Sequence, residues 1–265
     1  MTIKEYQNEL LQILLDFDTF CTEHNLCYCL CGGSALGAVR EKGFIPWDDD
    51  IDVFMPREDY EKLIQIHSKM KKQYRLIYRD NACVYHLADI NYPVQVQSEN
   101  ITSGKGTEYY ACIDLFPLDG VPANAILRYL RVKAICICRY LNKLRYVHAS
   151  YAGNSVIRQL VIRFAEIIHT EKWFPGKAFA NIALKLATKT KLSDSDWCMC
   201  AFGVYKLKDC YPKNWIFPFK RISFENHQIP ILNNHDEYLR QLYGDYMTPK
   251  ERASVHFRSY ERKEE

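Results

Sequence analysis

The sequence predicts an α/β (α+β) fold in which a mixed sheet, flanked by helices, is followed by a basic helical extension. Up to residue 122, short apolar stretches of strand length alternate with stretches whose apolar residues recur at helical spacing. Residues 123–191 are predicted to be helical, and they carry thirteen lysines and arginines against two glutamates. Because the whole chain has a net charge of only +3, the remainder must be acidic.

Residues 3–24 are predicted to form an amphipathic first helix, because their apolar side chains repeat at helical spacing. The stretch CYCLCGG (27–33) predicts a short buried strand that ends in a glycine turn. The following stretch, SALGAVREKG (34–43), predicts a helix that Ser34 caps and Gly43 ends.

The stretch DIDVFM (50–55) predicts the next strand, and residues 56–70 a helix with Pro56 in its first position. Four further stretches have the alternation or apolar character of strands: YRLIYR (74–79), VYHLADI (84–90), PVQVQ (93–97) and YYACIDLF (109–116). Towards the end of the chain, residues 211–231 predict a hairpin and residues 235–247 a short helix.

The cysteines and the first residues indicate a cytoplasmic protein. The start, MTIKEYQNELLQILLDF, has charges among its apolar residues, which is typical of neither a signal peptide nor a membrane span. Eleven cysteines in such a chain favour free thiols in a reducing compartment. Cys27, Cys29 and Cys31 alternate as on one face of a strand, so we interpret them as small buried hydrophobes rather than a metal–thiolate site.

The stretch GFIPWDDDIDVFM (43–55) places Asp48, Asp49, Asp50 and Asp52 at the start of a predicted strand. Acidic runs are usually solvated loops, but two same-face carboxylates roughly 7 Å apart along a strand can share a divalent cation. We therefore predict that Asp50 and Asp52 bind Mg²⁺ (or Mn²⁺). A third carboxylate, Asp114, stands in the apolar stretch Ile113–Leu115, where a structural aspartate would be unusual.

The turn Gly32–Gly33–Ser34 is a candidate phosphate-binding element, since glycine lets the backbone approach a phosphate and a helix N-terminus offers free N–H groups. Ser34 could equally be only an N-cap. Arg40 and Lys42 are candidates to contact diphosphate oxygens, although surface positions on a helix would also explain them.

Two further residues near the motifs have alternative interpretations. Trp47 is a candidate to stack on a base or on a choline cation, and packing beneath the loop is the favoured alternative. Asp119 is expected to form a turn with Gly120, and a role as a site residue is the less favoured alternative.

The order of these motifs, hG[GS], then Dh[DE]h, then a distant hDh, resembles the nucleotidyltransferase fold. More closely, LCGGSALGAVREKGFIPWDDDIDVFMPREDYEKL, together with CIDLFPLDGVP, resembles the LicD family of phosphocholine (phospho-alcohol) transferases, to which fukutin-type transferases are related. The resemblance implies a nucleotidyltransferase-like catalytic core over residues 1–122. A basic helical region (123–205) and a C-terminal hairpin and helix (206–265) would then complete the protein.

The resemblance also implies an activity and roles for the motif residues. Family members transfer an alcohol phosphate from a CDP-alcohol, by default CDP-choline, to a hydroxyl of a glycan or lipid-linked glycan, releasing CMP. Asp50 and Asp52 match the metal-binding pair, and Asp114 the third carboxylate, which serves as a ligand or a general base. Gly32, Gly33 and Ser34 match the turn beside the phosphates. The resemblance extends more loosely over residues 211–256, where FEN…IP…YLRQLYGDYM resembles a late motif of the family; Glu225, Tyr243 and His256 of this late motif have no assigned chemistry.

Two other classes of protein remain open at the level of sequence. A nucleotidyltransferase that uses a nucleoside triphosphate and releases diphosphate needs the same three carboxylates. A non-catalytic metal- or nucleotide-binding module is the third interpretation. A nucleic-acid partner is not expected, because the acidic half would repel a phosphate backbone. The basic stretch 127–147 is a candidate for peripheral contact with the inner membrane face.

Overall fold

The computed structural model describes residues 2–79, 82–96, 109–143, 160, 178–249 and 260–262. Its helices are α1 (Ile3–Glu23), α2 (Gly32–Arg40), α3 (Arg57–Ile66), α4 (Ala125–Lys143), α5 (Ala178–Ala187), α6 (Lys213–Ile216) and α7 (His235–Tyr243). Its strands are β1 (Cys29–Leu30), β2 (Asp52–Pro56), β3 (Tyr74–Arg79), β4 (Val84–Val96), β5 (Tyr109–Val121), β6 (Trp197–Cys200), β7 (Cys210–Pro212), β8 (Lys220–Phe224), β9 (His227–Ile231) and β10 (Tyr260–Arg262). Short 3₁₀ turns cover His67–Lys69 and Lys206–Asp209.

One mixed sheet, with helices packed against it, organises the described residues and confirms the predicted fold class. Its central path runs β10–β4–β5–β2–β1–β9–β8. The pairs β2–β5 and β1–β9 are parallel, whereas β1–β2 and β4–β5 are antiparallel. The parallel pair β2–β5 lies at the centre and brings together the two strands that carry the predicted site carboxylates.

The first helix is held by both its cap and its buried face. The side chain of Thr2 accepts a hydrogen bond from the Glu5 backbone, and the Glu5 side chain accepts one from the Thr2 backbone, which is a capping box. Leu10, Leu14 and Phe17 lie one or two turns apart and are completely buried in the main core. This packing places α1 against the sheet, and its span agrees with the amphipathic helix predicted over residues 3–24.

The elements around the glycine turn begin at different residues from those predicted. Helix α2 starts at Gly32 with Cys31 as its N-cap, so Ser34 is not the cap and lies inside the first turn. Strand β2 starts at Asp52, which leaves Asp50 in the preceding loop. Pro56 is the N-cap of α3 rather than its first helical residue, because its φ and ψ are those of an extended chain.

The two predicted strands 84–90 and 93–97 form one long strand, β4. Its pairing with β5 shifts register between Ala88 and Pro93. Proline cannot donate a ladder hydrogen bond, so a bulge at this point lets a single strand continue past it.

The basic helices pack on the end of the sheet through a second, smaller core. Strand β6, which sequence patterning did not predict, pairs with the end of β5 and with β7. Val132 and Ile135 of α4 and Ala183 of α5 are buried in this core. The predicted hairpin is confirmed as β8 and β9, and the helix after it as α7.

Candidate functional site

Strand pairing places Asp52 of β2 directly beside Asp114 of β5, and Asp114 beside His86 of β4. Register partners on neighbouring strands point to the same face of a sheet, so these three side chains form a row across three strands. The row is fixed by backbone hydrogen bonds, because the Asp114 N–H donates to the Ile51 carbonyl at 2.8 Å.

The outer member of the row, His86, contacts the middle one directly. His86 Nδ1 lies 2.5 Å from Asp114 Oδ1, which is a short hydrogen bond. The His86 side chain is almost completely buried, and about a quarter of the Asp114 side chain is exposed. Cys112, two residues before Asp114 and on the same face, has its Sγ 4.0 Å from Asp114 Oδ1.

The acidic loop before β2 supplies three more carboxylates. Asp48, Asp49 and Asp50 each have a carboxylate oxygen within 4.8 Å of the others, and Asp49 is buried. The sequence predicted Asp50 and Asp52 on one strand face. Since β2 begins only at Asp52, Asp50 is instead positioned by the loop.

The glycines of the turn are required by the close approach of these carboxylates. A Cβ on Gly32, whose φ is +54°, would lie 2.7 Å from Asp52 Oδ2, and one on Gly33 would lie 2.9 Å from Asp48 Oδ2. A Cβ at either position would force the facing carboxylate to shift, and the positive φ of Gly32 is also unfavourable for other residues. The positive N-terminal end of α2 thus faces the acidic cluster.

Ser34 holds strand β2 to the turn. Its Oγ accepts a hydrogen bond from the Asp52 backbone N–H at 2.9 Å, and the residue is buried. The Gly32 N–H donates to the hydroxyl of Tyr238 on α7 at 2.8 Å. The C-terminal part of the chain therefore buttresses the predicted phosphate-binding turn.

Asp52 lies in an environment of strong negative potential. Burial raises the pKa of the Asp52 carboxyl well above its ordinary value, and neighbouring carboxylates raise it further. In decreasing order of effect these neighbours are Asp50, Asp114, Asp48 and Asp209. Because these carboxylates repel one another when ionised, a bound cation would stabilise their charged forms.

The remaining predicted substrate-binding residues, Arg40, Lys42 and Trp47, lie in different environments. Arg40 donates to the carboxylate of Glu41 at 2.7 Å and to the Tyr246 carbonyl at 3.2 Å. Lys42 is exposed and has a φ of +59°. Trp47 is 46% exposed, so it is not fully packed beneath the loop.

The prediction that Asp119 forms a turn with Gly120 was wrong. It lies in β5, is 1% exposed, and accepts two hydrogen bonds of 2.7 Å from Arg57 at the start of α3. This bidentate pair is strong because both partners are charged. It ties α3 to the strand that carries Asp114, so its role is to hold the sheet and helix together.

Asp209, a further acid behind the site, was not predicted from the sequence. Burial raises the pKa of Asp209 to about 6, although hydrogen bonds from the Tyr211 hydroxyl and the Tyr205 N–H act in the opposite direction. His86 was also missed. The only sequence signal for His86 was a polar residue within the strand stretch VYHLADI, and such residues are common.

Two of the three late-motif residues without assigned chemistry have structural contacts. The Glu225 carboxylate accepts from the Phe44 N–H at 3.2 Å and from Lys4 Nζ at 3.1 Å, which fixes the chain before the acidic loop. The hydroxyls of Tyr243 and Tyr205 lie 2.9 Å apart. His256 lies outside the described residues.

The clustered cysteines are free thiols, but they do not share one environment. Cys29 and Cys31 are buried as predicted, whereas Cys27 is exposed, because β1 is only two residues long and begins after it. Burial raises the pKa of the Cys29 thiol well above its ordinary value, which disfavours the thiolate that a metal would need.

Comparison with known proteins agrees with this geometry and shows which family the site-bearing part of the chain resembles. Residues 25–121 match the nucleotidyltransferase domain of LicD, FKTN and FKRP. That span contains the glycine turn, the acidic loop, β2 and β5. The predicted resemblance to the LicD family is therefore confirmed for residues 25–121, which are similar to that family's nucleotidyltransferase domain.

Individual relatives extend the similarity over the whole chain. The chain is 28% identical over 262 residues to the lipopolysaccharide cholinephosphotransferase LicD of Haemophilus influenzae, covering 97% of this chain and 96% of the relative. An uncharacterized protein of Rickettsia prowazekii is 42% identical over 57 residues, which is 22% of this chain and 21% of that protein. An uncharacterized protein of Rickettsia typhi is 38% identical over 63 residues, which is 24% of this chain and 20% of that protein.

Proposed function

We propose that this protein is a metal-dependent LicD-type transferase that moves phosphocholine from CDP-choline to a hydroxyl of a lipopolysaccharide-type glycan. The observation that carries the proposal is the pairing of Asp52 with Asp114 on adjacent strands, beside a three-aspartate loop and a glycine turn. The family domain and the near full-length relative, whose name states phosphocholine transfer to lipopolysaccharide, support it.

The donor atoms around Asp52 fit a hard divalent cation. The acidic loop brings three carboxylates within 4.8 Å of one another, and burial, followed by Asp50, Asp114 and Asp48, raises the pKa of the Asp52 carboxyl. Carboxylate oxygens are the ligands that Mg²⁺ and Mn²⁺ prefer. Asp50, Asp52 and Asp114 would hold the ion. When bound, it would neutralise the negative charge of the diphosphate and of the leaving CMP.

The protein groups supply positioning and proton transfer. The N-terminal turn of α2 would present backbone N–H groups to the donor diphosphate, and its glycines carry no side chain that would keep a phosphate away. The acceptor hydroxyl oxygen attacks the distal phosphorus, so that a new O–P bond forms as the bond to the CMP oxygen breaks. Asp114 takes the hydroxyl proton as general base, and the departing CMP carries the electron pair of the broken bond.

Exposed residues suggest where other parts of the substrates bind. Trp47 offers an open aromatic face, which attracts quaternary ammonium groups such as that of choline. Arg40 and Lys42 lie at and just after the C-terminal end of α2, the opposite end from the glycine turn, and we keep them as proposed contacts for the donor on the strength of their charge alone.

We propose further that α4 rests on an anionic lipid surface at the cytoplasmic membrane face, where a lipid-linked acceptor would be found. Ile126, Leu127, Leu130 and Ile137 are each more than half exposed on this helix. A groove of about 540 Å³ beside it is lined by apolar side chains together with Lys133, Lys206 and Lys208. Exposed apolar residues flanked by lysines are typical of interfacial helices. No helix within the described part of the chain is both long and apolar enough to span a bilayer.

The experiment that tests the function compares the wild type with Asp52→Asn and Asp114→Asn, using CDP-choline, Mg²⁺ and lipopolysaccharide. The wild type should release CMP, and both variants should lose at least about a hundredfold in rate, consistent with loss of a charge-stabilising group. The matched control is Asp194→Asn, an exposed aspartate near β6 that contacts Ser193. Release of diphosphate from CTP or ATP, without CMP from CDP-choline, would instead identify a nucleotidyltransferase.

A further inference from the structure

We propose that His86 is a positioning residue for Asp114: it donates its Nδ1–H to one carboxylate oxygen and thereby aims the other at the metal and the acceptor hydroxyl. This inference rests on the proposed function of Asp114. Neither the sequence motifs nor the family comparison assigns a role to His86, which lies outside the motif segments.

The geometry of the contact is determined by the sheet rather than by a loop. His86 and Asp114 are register partners on antiparallel strands, and Asp114 is in turn the register partner of Asp52. The Nδ1–Oδ1 distance of 2.5 Å and the burial of His86, which is 3% exposed, leave its ring little freedom. A carboxylate held at one oxygen by a rigid partner presents its other oxygen in a defined direction.

The other ring nitrogen indicates which proton is present. Among the described residues, the buried His86 Nε2 has no hydrogen-bond partner. A buried N–H without an acceptor is rarer and costlier than a buried acceptor without a donor. The proton therefore belongs on Nδ1, where Asp114 accepts it, and Nε2 keeps its lone pair. In this tautomer the histidine is a hydrogen-bond donor to the catalytic carboxylate, as the positioning role requires.

The position of the required donor suggests three informative substitutions. The side-chain amide nitrogen of asparagine lies close to the position of Nδ1, whereas that of glutamine reaches towards the position of Nε2. His86→Asn can therefore keep the donor to Asp114, His86→Gln places it wrongly, and His86→Leu removes it. The matched control is His67→Leu, since His67 also uses Nδ1, towards the Ile64 carbonyl, but lies at the end of α3 outside the site.

The test measures kcat and KM for CDP-choline together with Mn²⁺ affinity by electron paramagnetic resonance, after circular dichroism has shown that each variant is folded. Loss of a group that orients a metal ligand commonly costs about 10–100-fold in metal affinity or activity. His86→Leu and His86→Gln should therefore lower kcat and Mn²⁺ affinity by about this factor, with KM for the donor changed less than about threefold. His86→Asn should recover most of both losses, and His67→Leu should match the wild type.

Several results would overturn the inference. If His86→Asn is as impaired as His86→Gln, the donated hydrogen bond is not what matters. If zinc binds the wild type and is lost in both His86→Asn and Cys112→Ser, the His86–Cys112–Asp114 group is a ligand set rather than a positioning contact. Wild type that binds no Mn²⁺ would also overturn it. Mn²⁺ affinities that follow the expected order without transfer from CDP-choline would refute the proposed reaction while supporting the positioning role.

Discussion

Replacing Asp52 with asparagine is expected to remove activity and, at the same time, to stabilise the metal-free protein. Asp52 and Asp114 are register partners on adjacent strands, and paired strands lie about 4.8 Å apart. Two negative charges about 5 Å apart repel by about 3 kcal/mol at an effective dielectric constant of about 20. Because the amide is neutral and close in shape, the free energy of unfolding in EDTA at pH 8 should rise by about 1–3 kcal/mol.

The assay is urea unfolding followed by tryptophan fluorescence, in EDTA and again with excess Mg²⁺. The wild type should gain stability with Mg²⁺, since an ion that binds only the folded state stabilises it, whereas Asp52→Asn should gain much less. Asp194→Asn serves again as the control and should behave as the wild type does. The reasoning is refuted if Asp52→Asn is no more stable than the wild type in EDTA and responds equally to Mg²⁺.

Three further predictions concern the surroundings of the site. Arg57→Leu should lower the free energy of unfolding by about 3–5 kcal/mol, because it leaves the Asp119 charge buried, and adding Asp119→Leu should restore part of the loss in urea unfolding. The folded-state pKa of Asp209, about 6, lies above its ordinary value of 3.8, so its stabilising contribution is present at low pH and lost as pH rises through 6. Relative to Asp209→Asn, the wild type should lose about 2 kcal/mol of stability between pH 4.5 and pH 7.5 in EDTA, and parallel pH profiles would contradict this. Gly32→Ala should destabilise the protein by more than Gly244→Ala. Both glycines have φ > 0, but only the Cβ at Gly32 would meet a carboxylate oxygen, at 2.7 Å. If both variants lose equal stability in thermal unfolding, the contact is unimportant.

Elements with a local signal could be predicted from the sequence, and elements that depend on tertiary pairing could not. The span of α1 follows from its apolar spacing, and the hairpin of β8 and β9 from its alternation. Strand β6 is four residues long within a region of helical character, and only its pairing with the end of β5 makes it a strand. The shift of β2 to begin at Asp52 likewise depends on pairing with β1 and β5.

The candidate site likewise combines residues that have a local sequence signal with residues that only tertiary pairing brings together. The glycine turn and the carboxylates of Asp52 and Asp114 belong to sequence motifs, so the amino-acid sequence alone was enough to propose them as candidates. Their adjacency could not be derived from spacing, because it depends on the parallel pairing of two strands that are distant in sequence. His86 is brought to Asp114 by a third strand, and nothing in its local sequence distinguishes it from an ordinary polar residue of a strand.

The charge of α4 shows why a count of basic residues overstates the surface available to an anionic partner. The Arg128 guanidinium lies 3.7 Å from the centre of the Trp197 ring, and Arg131 donates to Thr190 at 2.6 Å. Arg139 donates to three consecutive carbonyls of residues 201–203. These arginines hold α4 to the sheet, so their loss would weaken the fold and any membrane contact together. Exposed Lys133 is the discriminating position: Lys133→Glu should reduce sedimentation with anionic vesicles while leaving thermal stability unchanged. Unaltered sedimentation would show that α4 does not contact the lipid surface through its lysine.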